Sequence, residues 1–365
     1  MQYRWQKNEL RLKYLLSFII HNPYYRFTIS SLLKQYDLGH PKGHIEKYSL
    51  DEGDYDFAVK KGYFYDKLEL TPSEIIEKCQ NIYLNWEDLS YFEQNFKMPK
   101  RFFSVQELMT MLDDLINSIN NPDILREYRK IIDKRKHTYN IQDGNKNTKG
   151  ELSISGMTIY DSIFHKNYIN LLREYTADDF FTLTHETMHA IFNSLLHENG
   201  VNYEEQQLFI EVEGYLGTLL ASNYLSELGY TEDAKICRRS NLDSVLFLSL
   251  AIIIGDIIFS ASTTEIDIEL ALNQAKIIIP QDRFVDFKED YESYINFPAL
   301  DMVIDIIDYT IALELINRST SDAIASLIDI KLNNQNKLLN TLNRHNITFH
   351  HDNFAILKKE FTEIK

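Results

Sequence analysis

The sequence contains very little cysteine. Cys79 and Cys237 are the only two in 365 residues, and they do not form a C-x-x-C pair. Two isolated thiols exclude a disulfide framework and a zinc site built from thiolates. They suit a reducing compartment, so we expect a cytoplasmic protein.

Positive charge is also scarce. Lys plus Arg number 38 against 54 for Asp plus Glu, which gives a formal net charge of −16. Such an acidic surface repels phosphate backbones and anionic lipids, so the sequence predicts neither nucleic acid nor a membrane as a partner. Neutral or cationic peptides suit this charge better. The sequence leaves the oligomeric state open.

Long hydrophobic runs are absent. The longest, Val245 to Phe259, is interrupted by Gly255 and Asp256, and it falls short of the roughly 20 apolar residues that cross a bilayer. The apolar run Tyr14 to Ile20 is at the lower limit for a signal-peptide core, and no small-residue cleavage site follows it. We expect both runs to be buried helices of a globular protein.

Strand patterns are nearly absent, and there is no Gly-rich phosphate loop. The one convincing alternation is ELSISGMTIY, Glu151 to Tyr160, which predicts a small β element. Helical periodicity dominates the rest, for example after Ser104 and Glu107, which have capping-box spacing before an apolar stripe. The fold class is therefore predicted to be mostly α.

The residues with the clearest chemistry form an H-E-x-x-H motif. His185 and His189 are four residues apart, and on a helix such residues share one face, so two imidazoles can reach one metal ion. Glu186 lies at the edge of that face, where a carboxylate can deprotonate a metal-bound water. The spacing therefore provides two candidate ligands and a candidate general base.

The flanking residues predict the helix that this motif needs. Thr176 and Asp179 have the spacing of a capping box, and neither Gly nor Pro follows until Gly200. Accidental spacing among eleven His is the competing explanation. The helical flanks and an acidic segment downstream argue against it.

A catalytic zinc site needs a third protein ligand. The next predicted helix, Tyr203 to Leu228, contains Glu211 and Glu213. On one helix these side chains point about 200° apart, so only one can face the metal. Glu211 is favoured because it shares a face with Gly214, where a missing side chain permits close helix packing. Glu213 is then expected at the protein surface.

At these residues the chain resembles the zinc oligopeptidases of the thimet oligopeptidase and oligopeptidase F type. The similar segments are KGELSISGMTIYDSIFHKNYINLL, YTADDFFTLTHETMHAIF and LFIEVEG. The resemblance implies one Zn²⁺ ion held by His185, His189 and Glu211, with Glu186 as the general base. It also implies hydrolysis of internal bonds in short peptides by a large, two-lobed helical metallopeptidase fold. The expected division is 1–100 as an N-terminal helical lobe and 101–365 as the catalytic helical domain.

The chain departs from that family at several positions. Met188 occupies a position where the family usually has Gly, and Thr218 one where it has a Glu that supports the site. The segment Glu289 to Ile316 lacks the family's tyrosines, which hold the substrate. The nearby substitutes that we predict as substrate contacts are Tyr291, Tyr294 and Tyr309.

Two other functions compete with a peptidase. The departures favour a zinc-bearing protein that binds peptides, or acts on a single partner, with weak or no general hydrolysis. A carboxylate-bridged di-iron bundle needs Glu-x-x-His on two helices, and only Glu186 and His189 have that spacing. The sequence therefore favours a zinc endopeptidase for short peptides.

Overall fold

A computed structural model describes residues 101–133, 138–143, 156–161, 166–201, 209–242, 299–333, 338–347, 356–357 and 359–360. These residues are mostly helical with one small sheet, which confirms the predicted fold class. The proposed N-terminal lobe, 1–100, and the apolar run Val245 to Phe259 lie outside them.

The described residues belong to two compact units. The first contains those between 101 and 237 together with 315–333. The second contains 238–242, 299–314 and those from 338 onwards. The H-E-x-x-H motif is in the first unit. The predicted boundary at residue 100 coincides with the start of the described residues and stays a prediction.

The first unit opens with two helices, α1 (Val105–Ile119) and α2 (Pro122–Ile132). The capping box predicted at the start of α1 is confirmed. The Ser104 hydroxyl accepts a hydrogen bond from the Glu107 backbone N–H at 3.2 Å, and the Glu107 carboxylate accepts one from the Ser104 N–H at 2.7 Å. Asn120, with φ 52°, ends the helix in the left-handed conformation.

Three strands form the small sheet: β1 (Tyr139–Asp143), β2 (Gly156–Asp161) and β3 (Lys166–Arg173). Their order is β1-β3-β2, with β1 parallel and β2 antiparallel to β3. Strand β2 is the second half of the strand predicted from Glu151 to Tyr160, and 151–155 lie outside the described residues. Because β2 pairs only with β3 among the described strands, it is an edge strand of the described sheet.

Helix α3 (Asp178–Glu198) packs against β2, β3 and helix α4 (Val212–Glu227). The motif helix thus lies beside the β element, as predicted. The remaining helices are α5 (231–242), α6 (Ala299–Ile316), α7 (Thr320–Asn333) and α8 (Leu338–Arg344). None of the helices in the described ranges is both long and apolar enough to span a membrane.

The capping box predicted for α3 does not form. The helix begins at Asp178, and Ala177 at its N-cap makes no side-chain cap. Instead, the Asp179 carboxylate accepts hydrogen bonds from the N–H groups of Glu174 at 2.8 Å and Tyr175 at 3.2 Å. Because Tyr175 has φ 60°, the chain turns sharply between β3 and α3, and Asp179 fixes that turn.

Helix α4 also begins later than predicted. Phe209 to Glu211 form a turn, and Glu211 occupies the N-cap position before Val212. The predicted first turns, from Tyr203 to residue 208, fall outside the described residues. Because Glu211 precedes the helix, helical spacing does not relate its direction to that of Glu213.

Candidate metal centre

Two glycines of α4 let this helix pack closely on α3. A Cβ atom at Gly214 would lie 2.4 Å from Cε1 and 2.5 Å from Nε2 of His185, so any side chain there would displace the imidazole. The prediction that Gly214 permits close packing is confirmed. Gly217, about one turn after Gly214, permits close packing in the same way, because a Cβ there would lie 2.7 Å from Cγ of buried Met188.

Three potential ligand atoms converge between these helices. His185 Nε2 and His189 Nε2 are 3.0 Å apart, and Glu211 Oε2 lies 3.1 Å from the first and 3.2 Å from the second. Tetrahedral zinc binds N and O ligands at about 2.0–2.1 Å, which separates neighbouring ligand atoms by about 3.3 Å. The donor set and its spacing therefore fit one zinc ion.

The second ring nitrogen of each histidine also has a partner. Thr218 Oγ1 lies 3.4 Å from His185 Nδ1 and donates its proton to the Gly214 carbonyl at 3.1 Å, so a lone pair faces Nδ1. Glu213 Oε1 lies 3.3 Å from His189 Nδ1. Both acceptors favour a proton on Nδ1, which leaves Nε2 of each ring to face the point where the three ligand atoms converge.

The expectation that Glu213 lies on the surface is wrong. Its side chain is 1% exposed, and its Oε2 forms an ion pair with Lys331 Nζ at 2.6 Å. Burial alone would raise the pKa of Glu213, but the charge of Lys331 and the contact with His189 lower it below its usual value. The two side chains would point in different directions if both residues belonged to one helix. Because Glu211 lies in the turn before α4 and Glu213 lies in the helix, both carboxylates can face the histidines.

His189 and Glu211 interact strongly as a pair. Burial alone would lower the pKa of His189 and raise that of Glu211. Their mutual attraction prevails, with further contributions from Glu213 and His185, so the pKa of His189 is well above its usual value and that of Glu211 well below. Glu211 is therefore ionised at neutral pH, which suits an anionic ligand.

Glu186 lies against the edge strand. Its side chain is buried, and a Cβ at Gly156 would lie 2.9 Å from its Cγ and 3.0 Å from its Oε1. The Thr158 hydroxyl donates to the Glu186 backbone carbonyl at 2.7 Å. Strand β2 thus fixes this turn of α3 and brings its own backbone beside the carboxylate.

Sequence analysis missed Lys331. Its side chain is 1% exposed and lies on α7, far from the motif in sequence. A lysine is ordinarily assigned to the surface. The available signal was spacing, since Ile324, Leu327 and Lys331 share a helix face and the two apolar residues are fully buried.

The described residues do not test the three predicted substrate contacts. Tyr291 and Tyr294 lie outside them. Tyr309, in α6 of the second unit, is fully buried, and burial raises its pKa. The structure gives Tyr309 no exposed surface, and its role in substrate binding stays a prediction.

No protein-family model and no curated protein matches the sequence. Several solved structures resemble the fold. A candidate peptidase from Chlamydophila abortus aligns with a TM-score of 0.59 at 14% identity, over 82% of this chain and 57% of that one. A candidate oligoendopeptidase F from Bacillus anthracis strain Ames aligns with a TM-score of 0.55 at 12% identity, over 94% and 66%. PZ peptidase A, with a bound inhibitor, aligns with a TM-score of 0.54 at 14% identity, over 93% and 63%.

These comparisons establish a likeness of fold. The chain spans less than two thirds of the length of each of these structures, and the identities are low. The aligned portions nevertheless include more than four fifths of this chain. The protein therefore has a mostly helical fold similar to those of oligoendopeptidase F-like peptidases.

Proposed function

We propose that this protein is a zinc-dependent peptidase that hydrolyses internal bonds of short peptides. One observation carries the proposal: His185 Nε2, His189 Nε2 and Glu211 Oε2 lie 3.0–3.2 Å apart, with Glu186 next to the first ligand on α3. Three protein ligands and an adjacent carboxylate are the residues that a hydrolytic zinc site requires. The fold likeness to peptidases supports the same function.

Each residue of the site would have a distinct role in the reaction. His185, His189 and Glu211 would hold the zinc ion, which supplies Lewis acidity towards a carbonyl group and a water molecule. The Glu186 carboxylate would accept a proton from the attacking water and deliver it to the leaving amine. Thr158 holds the backbone carbonyl of Glu186 at 2.7 Å and so limits movement of the base.

An extended peptide is the substrate that the surroundings of Glu186 favour. An edge strand can add a peptide through backbone hydrogen bonds, and β2 is such an edge among the described strands. Gly156 in β2 is in close contact with Glu186. A peptide paired along β2 would therefore pass next to the proposed base.

Replacing Glu186 with Gln tests this function. The unmodified protein should contain one equivalent of zinc and cleave members of a mixed peptide library. Glu186→Gln should retain the zinc and lose cleavage by roughly 10²- to 10⁴-fold, the usual contribution of a general base. Full activity in this variant would remove Glu186 from the mechanism.

A second candidate is a zinc-bearing protein that binds peptides, or one specific partner, with little hydrolysis. The observation in its favour is the complete burial of Tyr309, one of the three predicted substrate contacts. Calorimetry with the same peptide library separates the two functions. Tight binding without cleavage selects this candidate, and rapid cleavage of many unrelated peptides rejects it.

A further inference from the structure

We propose that Lys331 is a positioning residue of the metal centre. It would act through Glu213 on His189 and through the Phe209 carbonyl on Glu211. The inference rests on the proposed function, because it assumes that His189 and Glu211 bind a metal ion. It makes α7, a helix far from the motif in sequence, part of the metal centre.

The first path runs through the Glu213 carboxylate. Lys331 Nζ is 2.6 Å from Oε2, and Oε1 is 3.3 Å from His189 Nδ1. A carboxylate held at both oxygens has lost its rotational freedom, so Oε1 stays opposite Nδ1. Partners of this kind orient the imidazole and fix its tautomer, here with Nε2 directed at the metal position.

The second path runs through the backbone before α4. Lys331 Nζ also donates to the Phe209 carbonyl at 2.5 Å. One ammonium group therefore holds a backbone atom two residues before Glu211 and a side chain two residues after it. Glu211 is the N-cap residue of α4: its carbonyl accepts the first helix hydrogen bond, from the Tyr215 N–H at 2.9 Å, but its own N–H precedes the helix. The two contacts of Lys331 restrict the chain on both sides of this ligand.

Packing alone does not account for a lysine at this position. The side chains of Lys331 and Glu213 are each 1% exposed, and burying two charges costs desolvation free energy that their attraction only partly offsets. Apolar residues of similar volume often stabilise a core as well or better. A role in fixing the metal ligands explains why both charges are present.

The test compares zinc affinity in matched lysine variants, by competition with a chelating indicator. Lys331→Met keeps an unbranched side chain that lacks only the terminal ammonium group, and we expect zinc to bind about 10- to 100-fold more weakly. The control is Lys130→Met on α2, which removes one of the two cations beside a buried carboxylate: Lys130 lies 3.0 Å from Glu127, and Arg126 lies 2.8 Å from it. Its zinc affinity should stay within about twofold of the unmodified protein.

A spectroscopic measurement separates positioning from folding. With cobalt(II) in place of zinc, Lys331→Met should change the position or intensity of the visible absorption bands, since ligand orientation changes, while Lys130→Met should not. A variant that is less stable but has unaltered bands and affinity would show that Lys331 serves folding alone.

Lys331→Met leaves Glu213 buried without its cation and could fail to fold. The double variant Lys331→Met/Glu213→Leu removes both charges and fills their volume. It should fold and bind zinc at least tenfold more weakly than the unmodified protein. The factor by which zinc affinity falls in the double variant should be smaller than the product of the factors in Lys331→Met and Glu213→Leu, because both residues act on His189 through one path.

The outcomes distinguish this inference from the function on which it rests. If the unmodified protein binds no zinc, the proposed function fails, and this inference fails with it. If the unmodified protein binds zinc, and the zinc affinities of Lys331→Met and of the double variant are within about twofold of its own, only the positioning role is overturned.

Discussion

At the scale of single residues, the candidate metal centre depends on the side chains that contact each histidine at Nδ1, the ring nitrogen that does not face Glu211. The Thr218 hydroxyl faces His185 Nδ1, and the Glu213 carboxylate faces His189 Nδ1. One partner is neutral and the other charged. The two histidines therefore differ in what orients them, although both present Nε2 to Glu211.

Thr218→Val should weaken zinc binding, because it removes the hydroxyl but keeps the shape of the side chain. The Nδ1–H of His185 would then lack this acceptor, and the loss of such a partner typically costs 10- to 100-fold in affinity. Thr218→Ser is the matched control, since it retains the hydroxyl. Metal titration of both variants decides the matter, and equal affinities would exclude a role for the hydroxyl.

Gly214→Ala should impair both stability and zinc binding. Its Cβ would lie 2.4–2.7 Å from three atoms of the His185 ring, and overpacking of this kind costs about 1–3 kcal/mol. Gly217→Ala meets the flexible Met188 side chain instead, so it should lower stability without weakening zinc binding. Thermal unfolding with and without zinc distinguishes the two, and an unchanged zinc affinity in Gly214→Ala would contradict the packing described here.

At the scale of elements, the turn between β3 and α3 sets where the motif helix begins. Asp179 accepts backbone hydrogen bonds from Glu174 and Tyr175 across this turn. The turn is the direct connection between the small sheet and the helix that contains His185.

Asp179→Ala should lower the free energy of unfolding by about 1–3 kcal/mol, because it removes a buried carboxylate that accepts two part-buried backbone hydrogen bonds. Asp322→Ala on α7 is the control. Asp322 is exposed, and its carboxylate accepts a hydrogen bond from the Ser319 hydroxyl, whose oxygen accepts one from the Asp322 N–H. The loss of the Asp322 carboxylate should therefore cost under about 1 kcal/mol. Urea denaturation measures both, and similar losses would argue against a special role for Asp179.

Sequence reasoning was most successful where an element follows its own periodicity. The helix around His185 and His189 could be predicted because it depends on spacing within a single helix, and the close packing at Gly214 could be predicted because glycine has no side chain to keep a neighbouring helix away. The position of Glu213 could not, because the start of α4 depends on a turn held by Lys331 on α7. Spacing on α7 indicates that Lys331 is buried, but it does not identify Glu213 and Phe209 as its partners, which are distant in sequence.

At the scale of the whole molecule, the formal charge of −16 should influence which peptides the proposed peptidase cleaves. An acidic surface attracts cationic substrates and repels anionic ones, and salt screens both effects. We expect kcat/KM to be several-fold higher for peptides flanked by Lys than for matched peptides flanked by Glu, with the difference shrinking in 0.5 M salt. A preference that is absent, or that persists in high salt, would assign selectivity to local contacts instead.

The mostly helical class of the described residues could be predicted from helical periodicity, and the likeness of the fold to peptidases agrees with the resemblance seen in the motif. The two compact units could not be predicted. The first unit joins residues before 237 to residues after 315, and pairing of such distant segments is decided by tertiary packing.

The measurement that tests the central claim most directly is the zinc content of the purified protein, by elemental analysis, with and without His185→Ala. His185 supplies one of the three converging ligand atoms, and a zinc site needs all three to retain the ion. The account predicts one equivalent of zinc in the unmodified protein and almost none in the variant. Full zinc content in His185→Ala, or no zinc binding by the unmodified protein, would contradict it.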